Sequence, residues 1–168
     1  MPNHVTHKVI FYSANAEEIF AAICVYGCID FDKLVPRPPH VYNGDISQED
    51  EKDFPCNGLS WQRENWGTKW NAYDGSTMVE GDKAIMTFDT AWSIPYPVMA
   101  AFCNRFNIPF EHRYFDEGSN FWGIEQWGTE KHGGNRIARI VKRKSLDEDK
   151  VPLCIELKGY DPNSNDEE

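Results

Sequence analysis

Apolar and polar residues alternate from Val5 to Tyr12, with Val5, His7, Val9 and Phe11 on one face and Ile10 and Tyr12 on the other. A period of two predicts a strand. Asn15 then offers an N-cap with Glu18 as its capping-box partner, and Ile19, Phe20, Ile23 and Cys24 form the apolar stripe of a helix stopped near Gly27. From Asp30 to Asn57 the periodicity disappears. Pro36, Pro38, Pro39 and Pro55 punctuate the stretch and Asp45 to Asp53 is mainly acidic, which predicts a long exposed insertion.

Asn57 to Asn65 reads as a short helix leading into a tryptophan-rich strand, with Trp70 and Ala72 on one face and Lys69, Asn71 and Tyr73 on the other. Asp74-Gly75 and Gly81-Asp82 bracket a turn region, after which Lys83 to Thr90 alternates again, so the two strands pair as a hairpin. Ser93, Pro95 and Pro97 are helix-opening chemistry, because proline's missing N–H costs nothing in the first turn. Val98, Met99, Phe102 and Phe106 supply that helix's buried stripe. Phe110 to Asp116 and Asn120 to Trp127 form a second hairpin about Glu117-Gly118-Ser119. Gly128 to Asn135 reads as a loop, Arg136 to Lys144 as a basic segment of either strand or helix, and Pro152 to Lys158 as a helix closed by Gly159. The order strand, helix, insertion, strand, strand, helix, strand, strand approaches the split βαβ pattern. The expectation is an α+β fold, a ferredoxin-like antiparallel sheet with two helices on one face and a long insertion after the first helix. Residues 1–160 would make one domain, with an acidic tail over 161–168.

The segment from Trp61 to Asp74 packs three tryptophans and a tyrosine into fourteen residues. With the following Phe88-Asp-Thr90-Ala-Trp92-Ser93 strand end and the Pro-Tyr-Pro-Val helix opening, it resembles the YubB ferredoxin-like family of phage and plasmid accessory proteins. The resemblance runs from the first helix through the Phe110 to Trp127 hairpin, and more loosely to the Leu-Cys-Ile-Glu-Leu ending. It implies a mobile-element protein of a family without a generally assigned activity. Trp66, Trp70 and Trp92 are expected to be structural, at least two of them buried with the ring nitrogen near an acceptor.

A formal net charge of −10 over 168 residues repels nucleic acid and anionic membrane and favours basic partners. The opening Met-Pro-Asn-His-Val-Thr-His-Lys carries no signal segment, and no run approaches the ~20 apolar residues of a membrane span. A cytoplasmic protein is expected. Five scattered cysteines read as reduced thiols acting as small hydrophobes.

No constellation carries evident chemistry. His4 and His7 are three apart and fall on opposite faces of a strand, while Cys24 and Cys28, at helical spacing, lack the second pair a zinc site needs. Glycine-rich phosphate cradles and a nucleophile elbow are absent. No metal, no cofactor and no catalytic residue is therefore assigned. Cys103, His112 and Asp116 are the only mid-chain cluster that an enzyme reading can nominate.

Three features suit a binding protein instead. Arg136, Arg139, Lys142, Arg143 and Lys144 concentrate positive charge, either as the protective charges of a solvated edge strand or as contacts to phosphate or an acidic partner. Aromatic residues are also in surplus. Tyr73, Trp122 and Trp127 head the candidates for an open sheet face that either binds a partner or is covered by the protein's own insertion or tail. Asp45, Glu49, Asp50, Glu51 and Asp53 in the acidic stretch are candidates for steering a basic partner. The expectation is a non-enzymatic binding protein acting on a host protein, as counter-defence factors do. A single-strand nucleic-acid binder, stacking bases on aromatic rings, is the first alternative and an unrecognised enzyme the second.

Overall fold

The structure, a computed structural model, describes residues 1–41 and 57–164. The candidates Asp45, Glu49, Asp50, Glu51 and Asp53 and the thiol of Cys56 lie outside the described residues.

Strand β1 (His4–Tyr12) runs into helix α1 (Ala16–Ile23), followed by the short strands β2 (Cys24–Val25) and β3 (Cys28–Ile29) and the helical turn α2 (Phe31–Leu34). Helix α3 (Gly58–Asn65) precedes the hairpin β4 (Tyr73–Glu80) and β5 (Lys83–Ala91). Helix α4 (Tyr96–Phe106) is followed by β6 (Phe110–Asp116), β7 (Trp122–His132) and β8 (Asn135–Lys144), and the last helix is α5 (Lys150–Lys158). Six strands form one antiparallel sheet in the order β4-β5-β1-β6-β7-β8, while β2 and β3 pair separately. Within it, β1-α1-β4-β5-α4-β6 follows the split βαβ order, with β1 between β5 and β6. The chain is an α+β protein built on a mostly antiparallel sheet.

Strand alternation decides the two faces. Val5, His7, Val9 and Phe11 are buried on one, in register with Thr90, Phe88, Met86 and Ala84 of β5. Phe20 and Ile23 of α1 and Val98 and Phe102 of α4 join Val9, Phe11, Met86 and Phe88 in a single core, so both helices stand on this face. The other face receives α5. Leu153 and Cys154 pack on Phe115, and Glu156 accepts from Lys8 at 2.9 Å and from Arg113 at 2.8 Å.

Several local readings are corrected. Asn15 makes no side-chain cap, and α1 ends at Ile23 because Tyr26 and Gly27, both at positive φ, form the β2–β3 turn. Cys24 and Cys28 therefore lie on the two strands of a hairpin, opposite Ile29 and Val25 respectively, rather than along a helix. Phe31 is fully buried against Trp66 and Phe88, so Asp30 to Leu34 belongs to the packed body rather than to an exposed insertion.

Trp66 to Ala72 is not a strand but a corner pinned by side chains. Gln62 donates to the Lys69 carbonyl, Thr68 to that of Trp70 and Ser93 to that of Gly67. Gly67 has φ +79°, and a Cβ there would meet Pro97 Cδ at 2.9 Å, so position and conformation both demand glycine. Asp74-Gly75 lies inside β4, leaving Gly81-Asp82 as the turn. The Gly128–Asn135 loop is also a strand for most of its length. β7 continues to His132, turns at Gly133-Gly134 and returns as β8, so Arg136 to Lys144 is an edge strand.

Candidate functional site

The densest polar cluster lies under the helix-bearing face. Thr90 donates its hydroxyl to the Ser93 carbonyl at 2.7 Å and so accepts from His7 Nε2 at 2.7 Å. That choice leaves His7 Nδ1 to accept from His112 Nε2 at 2.8 Å. His112 Nδ1 faces Glu125 Oε2 at 3.6 Å, and Glu125 Oε1 accepts from Tyr96, Tyr114 and Arg143 at 2.6, 3.1 and 3.0 Å. Burial pushes Glu125 up, but the His112 and Tyr96 side chains and the Arg143 charge outweigh it and hold the carboxyl below its ordinary value. Burial, then the neighbouring His112 and Lys158, drive His7 well below the usual imidazole range. Burial and the Glu125 hydrogen bond push the Tyr96 phenol up to about 12.

The chain is interrupted between His112 Nδ1 and Glu125 Oε2, neither of which has a hydrogen-bond partner, and His7, Thr90, His112 and Glu125 are all fully buried. Its hydrogen bonds tie β1 to β5 and β6. No sequence signal pairs residues 105 apart. The enzyme cluster nominated from sequence does not assemble: Cys103 bonds the Ile108 carbonyl, His112 is committed to His7, and Asp116 accepts from Asn120.

The opposite face presents a groove of about 720 Å³ where α5 stops short of β4 and β5. His4, Thr6 and Lys8 of β1, Ile85, Thr87 and Asp89 of β5, and Asp74 and Met78 of β4 form its floor and one side. Glu117, Leu157, Lys158 and Tyr160 close the other. The strand period puts these residues here, since each is an even step from its neighbour on the open face. Polar contacts fix the rim. Thr6 donates to Asp89 at 2.7 Å, the His4 backbone N–H to Glu117 at 2.8 Å, and Lys158 to the His4 carbonyl at 2.8 Å, while His4 Nδ1 meets the Tyr73 hydroxyl at 2.5 Å. Partial burial and then Asp89, Asp74 and Glu117 raise Tyr73 to about 12, so the phenol stays protonated among three carboxylates. Desolvation lowers Lys158, against the opposing pull of Asp89, Glu117 and Asp116. The groove's volume falls in the range of ligand clefts, but its lining is mostly polar and charged.

A second, apolar hollow of about 420 Å³ lies between Trp92, Ile94, Pro97 and Phe121 and has no charged lining.

Of the residues singled out from sequence, Tyr73 stands beside the groove. Trp122 packs on Phe115, with its ring N–H donating to Leu146, so the C-terminal segment holds it. Trp127 is buried on the helix-bearing face, stacked on Phe110, and is no part of an open surface. Arg136 donates to Asn107, Arg139 pairs with Glu130 at 2.6 Å and Arg143 with Glu125, while Lys142 lies opposite Gln126. Lys144 pairs with Asp149 at 2.8 Å. Of the three tryptophans expected to be structural, only Trp66 is buried, at 1% exposure, donating to the Val35 carbonyl at 2.8 Å. Trp70 and Trp92 are 39% and 56% exposed.

Among the described residues no group of histidine, cysteine, aspartate and glutamate side chains is arranged to hold a metal ion, and no helix is long and apolar enough to cross a membrane.

Fold and site together define an α+β module with an antiparallel sheet, one face closed by helices and the other, among the described residues, covered in part by α5. Residues 65–134 match the family model described as the ferredoxin-like domain in Api92-like protein, a span from the end of α3 to the β7–β8 turn. No curated protein and no solved structure matches the chain.

Proposed function

We propose that the protein is a non-enzymatic binding module that engages a basic surface of another protein through the groove beside α5. The observation that carries this reading is the groove itself. It combines the apolar side chains of Met78, Ile85 and Leu157 with the carboxylates of Asp74, Asp89 and Glu117, on a chain of net charge −10. Central apolar contact supplies affinity, and the flanking charges select and steer a basic partner.

In this reading the fold is ferredoxin-like, with α1 and α4 as the two helices of one face. The partner is a host protein, and the module serves a phage, plasmid or integrated element as a counter-defence factor. That wider role rests on the resemblance to the YubB family. The nucleic-acid alternative draws no support from β8, whose arginines at 139 and 143 and lysine at 144 already face carboxylates.

The test compares proteins retained from host lysate by the unaltered chain, by Met78→Arg in the groove and by Val141→Arg on β8. A protein retained at stoichiometric level by the unaltered chain and Val141→Arg but lost with Met78→Arg supports the groove. Loss with Val141→Arg alone moves the interface to the edge strand and overturns the proposal.

A further inference from the structure

The polar atoms around the groove are not evenly committed. Asp89 uses Oδ1 for Thr6 and Glu117 uses Oε2 for the His4 backbone, which leaves the second oxygen of each carboxylate for a ligand. Asp74 adds a third carboxylate at the rim, held at φ +49°, a conformation that aspartate and asparagine tolerate better than other side chains. Two lysines line the same groove, and one of them, Lys158, already offsets part of the charge of Asp89 and Glu117. Lys158 points its ammonium at the His4 carbonyl, and Lys8 is held by Glu156, which also takes Arg113. The hydroxyls of Tyr73 and Tyr160 stand beside the carboxylates, with Tyr73 bound to His4. Further along the groove, four residues from Asp74 on β4 and from Asp89 on β5, Met78 and Ile85 add apolar side chains, Leu157 of α5 lines the other side, and Met78 is 49% exposed.

A ligand that satisfies this arrangement needs a flat, delocalised cation with several donors at one end and an unbranched aliphatic stem at the other. Guanidinium presents five N–H donors in a fixed fork and is more weakly hydrated than ammonium, so it suits spread carboxylate oxygens with apolar side chains further along. A lysine ammonium is a compact charge that keeps its water more strongly and satisfies fewer of these acceptors. A neutral side chain adds no charge opposite the carboxylates, which Lys158 offsets only in part. We infer that the groove is a receptor for an arginine side chain carried on a basic segment of the partner protein. The inference rests on the groove as the partner-binding surface and names the group that enters it.

The test uses N-acetyl-arginine-N-methylamide as probe, with the citrulline and lysine counterparts, titrated at low ionic strength into the full chain carrying labelled methyl groups. Expected are saturable shifts at the Met78, Ile85 and Leu157 methyls with the arginine probe, weaker shifts with lysine and none with citrulline. The isosteric variant Asp74→Asn/Asp89→Asn/Glu117→Gln keeps the acceptors used by Thr6 and His4. It should bind the arginine probe at least about tenfold more weakly, as expected when charge-assisted hydrogen bonds are lost. Equal shifts from arginine and citrulline, shifts confined to methyls outside the groove, or no shift with arginine overturn the inference. If Met78→Arg still abolishes partner retention in such a case, the groove remains the interface and only its arginine occupant is wrong.

Discussion

Two tryptophans of the same motif separate at the level of single residues. Trp66 is enclosed by Phe31 and Trp61 and spends its ring N–H on Val35, whereas Trp92 lies largely in solvent at φ +71°. Trp66→Ala should therefore cost ~3–5 kcal/mol in chemical unfolding, and Trp92→Ala no more than ~1 kcal/mol. Equal losses at the two positions would contradict the packing described. Acid should act through His7. Its folded-state pKa is depressed by burial, so the unfolded chain takes up a proton at about the ordinary 6.5 before the native state does. Stability is then fully present above that value and falls below it, by about 1.4 kcal/mol for the first full unit. Glu125, held low in the native state, adds a further loss as pH drops through and below the ordinary carboxylate value of 4.5. Urea unfolding near pH 7.5 and near pH 5.5 should show the His7 loss, and His7→Gln should flatten it. Equal stability at both pH values would show that His7 titrates normally.

Among the secondary-structure elements, β1 was legible because its alternation is uninterrupted, and α4 because proline opens an apolar helical stripe. The Trp66 to Ala72 corner was not. Its residue types favour strands, but hydrogen bonds from Gln62, Thr68 and Ser93 overrule propensity, and side-chain partners of that kind leave no period in a sequence. The β7–β8 hairpin does leave a signal, the two-residue Gly133-Gly134 turn, but it sits in a polar stretch that reads as a loop. The buried histidine pair had none, because strand register alone brings β1 and β6 together. The groove was legible only through Tyr73, since its floor is drawn from three strands and its far wall includes α5. One glycine tests the corner. Gly67→Ala adds both a left-handed alanine and a Cβ about one ångström inside normal contact with Pro97, which should cost ~1–3 kcal/mol. A variant as stable as the unaltered chain would mean that the corner is not held as described.

At the scale of the molecule, α1 and α4 close one face of the sheet and, among the described residues, α5 covers part of the other. Charge follows the same division. The basic strand β8 is largely neutralised by Glu125, Glu130 and Asp149, while carboxylates remain at the rim of the groove. The surplus of net negative charge thus has an outlet beside exposed apolar side chains, which is what a selective contact with a basic protein requires. The apolar hollow at Trp92 has no comparable charge and offers no such selection. Hydrogen exchange of the full chain, with and without the protein it retains, tests this division most directly. Slowed exchange on binding is expected in Tyr73–Glu80, Lys83–Ala91 and Lys150–Lys158, the elements around the groove. Slowing confined to Asn135–Lys144, with those three segments unchanged, would contradict it.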